Sequence, residues 1–293
     1  WINMSISPVA DEKGWFTHWI SIERDVTKQK MQELQKQLLA EISRLFNQDA
    51  GLKPTLEIVL QNLVQYADIN LGEAWLLSAD KKSLNLVGYY TADEHSHQFY
   101  REVGHIRSFT EGSGLPGTVW KERRIIMWDR DEMNAEYVRK AAAEKAGFTA
   151  SLGIPLLHND EVVGVLVFMT SHDVQNLKQY KTLFTELETF LGAELKRKHL
   201  EEELNQIFNT APDIICLADF DGYFKRMNIA GCKLLGYTEE ELFSKPAYEF
   251  IHPDDRMITV DAVNSLADGE TIFYVENRYI KKDGSIIWLS WTC

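Results

Sequence analysis

The residues in this chain that could do chemistry are few: three cysteines, eight histidines and one glycine-rich turn in 293 residues. Cys216, Cys232 and Cys293 show no Cys-x-x-Cys spacing. They therefore read as structural thiols of a reducing compartment, and no zinc or other metal site is expected of them. His95 and His97 are close neighbours in the polar stretch Thr91 to Gln98, which reads as a solvated loop or helix start. The run Gly112-Ser113-Gly114-Leu115-Pro116-Gly117 could cradle a phosphate through its amides. It lacks the following Lys-Ser/Thr that would reach phosphate and magnesium, so it reads as a tight turn opening a short helix. No nucleophile elbow is present, and no enzyme is expected in this segment.

Composition narrows the partners. A formal net charge of -13 argues against nucleic acid, whose phosphates need a basic surface. No apolar run approaches the ~18–20 residues of a membrane span, so no membrane contact is expected. At 293 residues the chain has room for about two domains, and its 45% hydrophobic residues are ordinary for a globular protein.

The elements that must position any site follow from periodicity. Met31, Leu34, Leu38, Ile42 and Leu45 recur at spacings of three and four, predicting a helix that Asp25 or Thr27 can cap. A second helix is predicted from about Thr55 to Tyr66, after Gly51 and Pro54. Strand pairs are expected at 72–78 with 84–90 and at 151–157 with 162–169, with a short strand at 125–128. Thr91 to Glu111 reads as long and irregular, and Asn134 to Lys145 as a helix ended by Gly147. From Val174 to Phe208 the pattern is helical, with Leu177, Tyr180, Phe184, Leu187 and Leu191 in one phase and Leu200, Leu204 and Ile207 in another. Lys196 to His199 mark the phase change. Two readings stand there: a coiled-coil stutter, or two helical segments that meet.

The two ends of the chain follow one plan. Trp1 to Pro8 and Trp288 to Cys293 are both Trp-led alternations of apolar and small polar residues, the pattern of a half-buried strand. The first copy continues through Asp11 to Gly14 into Trp15 to Glu23; the last has no continuation. The chain thus reads as a slice of a longer tandem array.

The last segment carries Ala211-Pro212-Asp213, Asp219 to Gly222, Asn228-Ile229-Ala230, Leu235 to Leu242, His252-Pro253-Asp254-Asp255 and Lys282 to Ser285. In that order these residues resemble a PAS domain. Trp1 to Thr27 resembles the last two strands of another, with Asp25-Val26-Thr27 similar to the signature joining such domains to an output helix. The middle resembles a GAF domain through Gly112 to Trp120, Gly153-Ile154-Pro155-Leu156 and Glu161 to Leu166. The implied fold class is α+β: antiparallel-sheet PAS and GAF domains joined by long, coiled-coil-like helices. The implied order is PAS strands at 1–27, a linker helix at 28–47, a GAF domain at 48–195, a linker helix at 196–210 and a PAS domain lacking its last strand at 211–293.

The resemblance implies a cytoplasmic, homodimeric signal-relay segment of a bacterial sensor histidine kinase, acting through a downstream response regulator. The alternatives are a small-molecule-sensing GAF domain of a diguanylate cyclase or other output, and a non-switching dimerisation scaffold. Asp25 and Thr27 are the coupling candidates, a role compatible with capping. No cofactor is expected. The flavin-cysteinyl position falls on Ala247, residues 40–195 hold no bilin cysteine, and Met257 to Leu266 holds no haem histidine. His199 lacks the His-Glu-[Leu/Ile]-Arg context of a phosphoacceptor and reads as a solvated helix residue. A GAF pocket would lie between the sheet and Thr91 to Trp128. Trp75, Tyr89, Phe109, Trp128 and Met169 would line it for an unidentified small molecule, or else simply fill the core.

Overall fold

A computed structural model describes residues 1–129, 138–178, 180–267 and 274–292. The chain is α+β and divides into two units, Trp1–His199 and Leu200–Cys293.

The first unit opens with a hairpin of β1 (Ile2–Ala10) and β2 (Phe16–Asp25). The alternation of these strands predicts one buried face, yet Trp1, Trp15, Phe16 and Trp19 are 56%, 73%, 70% and 67% exposed. Alternation marks a face that could be buried; a two-stranded ribbon has no second layer of its own to bury it. After a single residue, Val26, the chain enters α1 (Thr27–Phe46), followed by α2 (Leu52–Tyr66). Pro54 sits in the first turn of α2, where its missing N–H has no intrahelical partner to lose.

Then come β3 (Leu71–Leu77), β4 (Leu84–Thr91), α3 (Glu94–Val103), β5 (Ser108–Phe109), α4 (Gly114–Glu122), β6 (Ile126–Asp129), α5 (Lys140–Lys145), β7 (Ala150–His158) and β8 (Glu161–Thr170). The strands form one antiparallel sheet in the order β5-β4-β3-β8-β7-β6. The expected helix from Asn134 is described only as α5; residues 130–137 lie outside the described residues. The expected irregular stretch contains α3. Asp93 caps it by accepting from the Ser96 amide at 2.8 Å, and its buried positions are Ser96, Phe99 and Val103. A serine at one core position broke the apolar period. It is satisfied there because its hydroxyl donates to the Asn70 carbonyl at 3.0 Å.

Because side chains alternate across a strand, the central strands β3 and β8 serve two cores. Ala74, Leu166 and Phe168 face one side, with Ile42 of α1, Leu56 and Leu60 of α2, and Leu187 and Leu191 of a later helix. Leu71, Trp75, Val165, Val167 and Met169 face the other, with Phe99 of α3, Leu115 and Val119 of α4, and Phe148.

The expected single helical run from Val174 is two helices, α6 (Val174–Lys178) and α7 (Lys181–Thr210). Helix α7 passes through Lys196 to His199 without a break. Leu183, Leu187, Leu191 and Leu195 are buried, whereas Leu200, Leu204 and Ile207 are exposed. Gly192 lets α7 lie against β7: a Cβ there would come within 2.1 Å of the Leu157 carbonyl oxygen.

The second unit pairs β9 (Cys216–Ala218) with β10 (Phe224–Met227), and β11 (Val275–Ile280) with β12 (Ile286–Trp291). Between these pairs run α8 (Ile229–Leu235), α9 (Glu239–Phe243), 3-10 turns at Ala247–Phe250 and Pro253–Asp255, and α10 (Arg256–Ala267). Helix α9 starts with a capping box between Thr238 and Glu241. Phe224, Met227, Leu235, Leu242, Phe250, Ile251 and Tyr279 form the core. Asp255 ties the second 3-10 turn to β11. Its Oδ2 accepts from the Arg278 amide at 2.8 Å and from Nε at 2.9 Å, and its Oδ1 accepts from Nη2 at 2.6 Å. The Arg278 side chain holds the Asp255 carboxyl down to about 2.

Two outcomes are expected. Gly192→Ala should destabilise the first unit by about 1–3 kcal/mol through overpacking, although alanine is the better helix former by about 1 kcal/mol. A thermal melt showing a higher Tm would contradict the close approach. The depressed Asp255 carboxyl adds stability above the unfolded carboxylate range near 3.9 and loses it as pH falls toward about 2. Asp255→Asn should therefore lower the Tm of the second unit at pH 7 and make its decline between those pH values shallower.

Candidate functional site

Glu73 lies at the middle of β3, on the face of the sheet opposite α1, α2 and α7, and is fully buried. An ionised carboxylate has about four acceptor positions. Four donors meet them. Trp75 Nε1, two residues along the same strand, donates to Oε2 at 2.9 Å. The Tyr100 hydroxyl, from α3, donates to Oε1 at 2.6 Å. Arg139 completes the set bidentately, Nη1 to Oε1 at 2.5 Å and Nη2 to Oε2 at 2.9 Å. The pairing joins residues 66 positions apart.

Aromatic rings wall the guanidinium. Its carbon lies 5.6 Å from the Trp75 ring centroid, 5.3 Å from Phe99 and 5.6 Å from Phe109, the range of cation–π attraction. Trp75 and Phe109 meet edge to face at 4.9 Å. Burial, and then the Glu73 charge, push the Tyr100 phenol well above its usual range. Tyr100 therefore stays a donor throughout ordinary pH.

The five pocket candidates fall in different places. Trp75 and Phe109 wall the Glu73–Arg139 pair. Met169 and Trp128 belong to the same face of the sheet, Met169 fully buried and Trp128 partly so. Tyr89 lies outside the box, 39% exposed and stacked on Tyr100 at 3.9 Å. Beside that stack an open groove of about 430 Å³ is lined by Tyr89, Glu94, His97, Tyr100 and Arg101. His97 thus sits on a helix, with its ring 2.9 Å from the Thr91 hydroxyl. Glu73, Tyr100 and Arg139 were missed from sequence. The available signal was a lone glutamate on the strand face that also carries Leu71 and Trp75.

In the glycine-rich turn the Gly112 N–H donates to the Gly117 carbonyl at 2.8 Å and the Gly117 N–H to the Ser113 carbonyl at 3.0 Å. A Cβ on Gly117 would come within 2.2 Å of the Thr110 carbonyl, which explains the glycine without a ligand. Among the described residues no cluster of three or more His, Cys, Asp or Glu could hold a metal ion. Of the cysteines, Cys216 is exposed and Cys232 half-buried, while Cys293 lies outside the described residues.

At the strand-to-helix junction the cap position of α1 is Val26, not Asp25 or Thr27. Asp25 still serves the helix start, since its Oδ1 accepts from the Thr27 amide at 2.9 Å. The Thr27 hydroxyl and amide hold that carboxyl below its usual range. Val26 N–H also donates to the Trp1 carbonyl at 2.9 Å, and the Thr27 hydroxyl lies 3.5 Å from the same oxygen. The first residue of the hairpin is thus bonded to the first turn of α1.

Removing one partner of a buried ion pair leaves a bare charge, so Glu73→Leu or Arg139→Met alone should each cost about 3–5 kcal/mol. The combined variant should recover most of that loss, because apolar side chains of similar volume suit the ring-lined box. Urea melts of the four proteins measure the coupling, and simple additivity would show that the two side chains do not act as a pair.

Residues 224–293 match the PAS fold family. The Escherichia coli (strain K12) protein described as probable diguanylate cyclase DgcE is 29% identical over 97 residues, which are 32% of this chain and 9% of that protein. The A. Aeolicus nlh2 GAF domain, in an inactive state, superposes with a TM-score of 0.47 at 16% identity, over 57% of this chain and 99% of that one. The PAS domain of an HTR-like protein from Haloarcula marismortui gives 0.31 at 26% identity, over 33% of this chain and 80% of that one. No helix among the described residues is long and apolar enough to cross a membrane. Residues 31–187, more than half of the sequence, match the GAF domain family, and the chain therefore belongs to that family.

Proposed function

We propose that this chain is a sensory and signal-relay segment of a cytoplasmic signalling protein, passing a change from one sensory unit to the next through helices α1 and α7. The observation that carries the reading is the bonding of the incoming helix to the outgoing one. The last carbonyls of a helix need donors. Here Arg197 Nη2 of α7 donates to the Phe46 carbonyl at 3.1 Å, and Lys198 Nζ donates to the Gln48 carbonyl at 2.9 Å. Gln35 Nε2 adds a bond to Glu186 Oε2 at 2.6 Å. Both helices cover the same face of the sheet, so a shift of α1 is felt by α7 as strain in these bonds or as a matching shift. Two packings of similar energy are what such a relay requires.

The relay works as a homodimer in this reading. Leu200, Leu204 and Ile207 are exposed at spacings of four and three, the pattern with which parallel helices pair. No cofactor is invoked. The output belongs to the longer parent protein. Two outputs fit a sensory array of this kind: a histidine kinase acting on a response regulator, and a diguanylate cyclase. The match to DgcE favours the cyclase, with the chain spanning 9% of that protein.

Asp25→Ala with Thr27→Ala should change signalling output of the full-length parent while leaving the melt of the GAF unit in place. Unchanged output would end the coupling role of this junction. The purified parent, given GTP or ATP, should make cyclic di-GMP rather than a phosphohistidine; the opposite product would restore the kinase reading.

A further inference from the structure

We propose that the outer edge of β4 is a docking site for an extended peptide, added to the sheet as a further strand, in which acidic side chains alternate with apolar ones.

The backbone of β4 is covered at one end and open at the other. Strand β5 pairs with Leu84 and Asn85, and the Leu86 N–H donates to the Arg107 carbonyl at 3.0 Å. Beyond that point, from Val87 to Thr91, no strand or loop is bonded to this edge among the described residues. Proteins commonly blunt an edge with a charge or a proline, because its outward amides and carbonyls accept another strand. Val87-Gly88-Tyr89-Tyr90-Thr91 carries neither, and its β-branched and aromatic residues favour the extended state. Helices α2 and α3 flank this edge and leave a groove on each side of it. Toward α3 is the groove of about 430 Å³ beside the Tyr89–Tyr100 stack. Toward α2 is a second, of about 630 Å³, lined in part by Lys53, Glu57 and Ile58 of α2, Tyr89 and Tyr90 of β4, and Arg107. Tyr89 lines both, so the grooves meet at the strand edge, and Ile58 is, like Tyr89, an exposed apolar side chain there.

Successive side chains of an added strand point to opposite faces, so one set enters each groove. The α3 groove suits apolar side chains: it offers two stacked rings, and its Glu94 and Arg101 are bonded to each other. The α2 groove suits acidic ones. Lys53 and Arg107 make no ion pair among the described residues, and Glu57 is the one carboxylate lining the groove with them. In a chain of net charge -13 this is a local reversal of sign, and charge complementarity selects the partner that meets it. A second copy of β4 is a poorer occupant, since Val87 to Thr91 holds no carboxylate to place beside those cations.

Binding is read on this chain alone and does not depend on the relay. The probe is acetyl-Glu-Val-Glu-Val-Glu-Val-amide, which has the required alternation. It should bind saturably and slow amide hydrogen exchange from Val87 to Thr91. Lys53→Glu with Arg107→Glu, both at exposed positions, should weaken that binding roughly tenfold or more and favour acetyl-Lys-Val-Lys-Val-Lys-Val-amide instead. On the native chain, N-methylation of one alternate set of probe amides should abolish binding, because those amides pair with β4, while methylation of the other set should spare it. Absence of saturable binding overturns the proposal. So does equal binding of the lysine peptide to the native chain, indifference to methylation of both sets, or protection that falls outside Val87 to Thr91. A chain that dimerises without peptide and loses protection at Val87 to Thr91 on dilution overturns it too, since the edge then belongs to a second copy.

Discussion

A carboxylate with no solvent exposure sits at the centre of the six-stranded sheet, and the face around it is built to satisfy that charge. An unpaired buried charge costs about 3–5 kcal/mol, a large part of the about 5–15 kcal/mol by which whole domains are stable. The answer here is local and long-range at once. Trp75 comes with the same strand, Tyr100 needs α3 to be a helix, and Arg139 must arrive from a turn far along the chain. The rings that close the box then exclude water, which strengthens each of these bonds and also makes the loss of one more damaging.

The same strand serves the other face. Glu73 is flanked in sequence by Gly72 and Ala74, and Ala74 packs in the core beneath α1, α2 and α7. A one-residue slip of β3 would exchange the two faces and bury Glu73 among the helices, where no donors are arranged for it. The register is therefore held by both cores, and the site and the helix pair share a rigid element.

In the second unit Asp255 plays a comparable part at a turn. One side chain joins a 3-10 turn to β11 through three bonds to Arg278, fixing a stretch of short helices that carry little stability of their own. The hairpin β1–β2 shows the contrary case. Its tryptophans carry the pattern of a covered strand, and the covering layer is something that pattern cannot supply.

The sequence by itself determined the elements whose signals are local. Hairpin turns at Asn159-Asp160, Asp221-Gly222 and Asp283-Gly284, the helical periods of α1 and α7, and the α+β class all follow from spacing and turn chemistry within a few residues. The glycine-rich turn was legible too, as the start of the short helix α4. Helix α3 was not, because Ser96 occupies a core position that only a bond to Asn70 makes tolerable. Trp75 and Phe109 were legible as candidate walls, but what they surround was not. Glu73 and Arg139 each look like an ordinary charged surface residue, and nothing in the neighbourhood of either names the other. Only the tertiary structure decided that they meet, because burial makes an ion pair necessary while leaving the partner's position in the chain free.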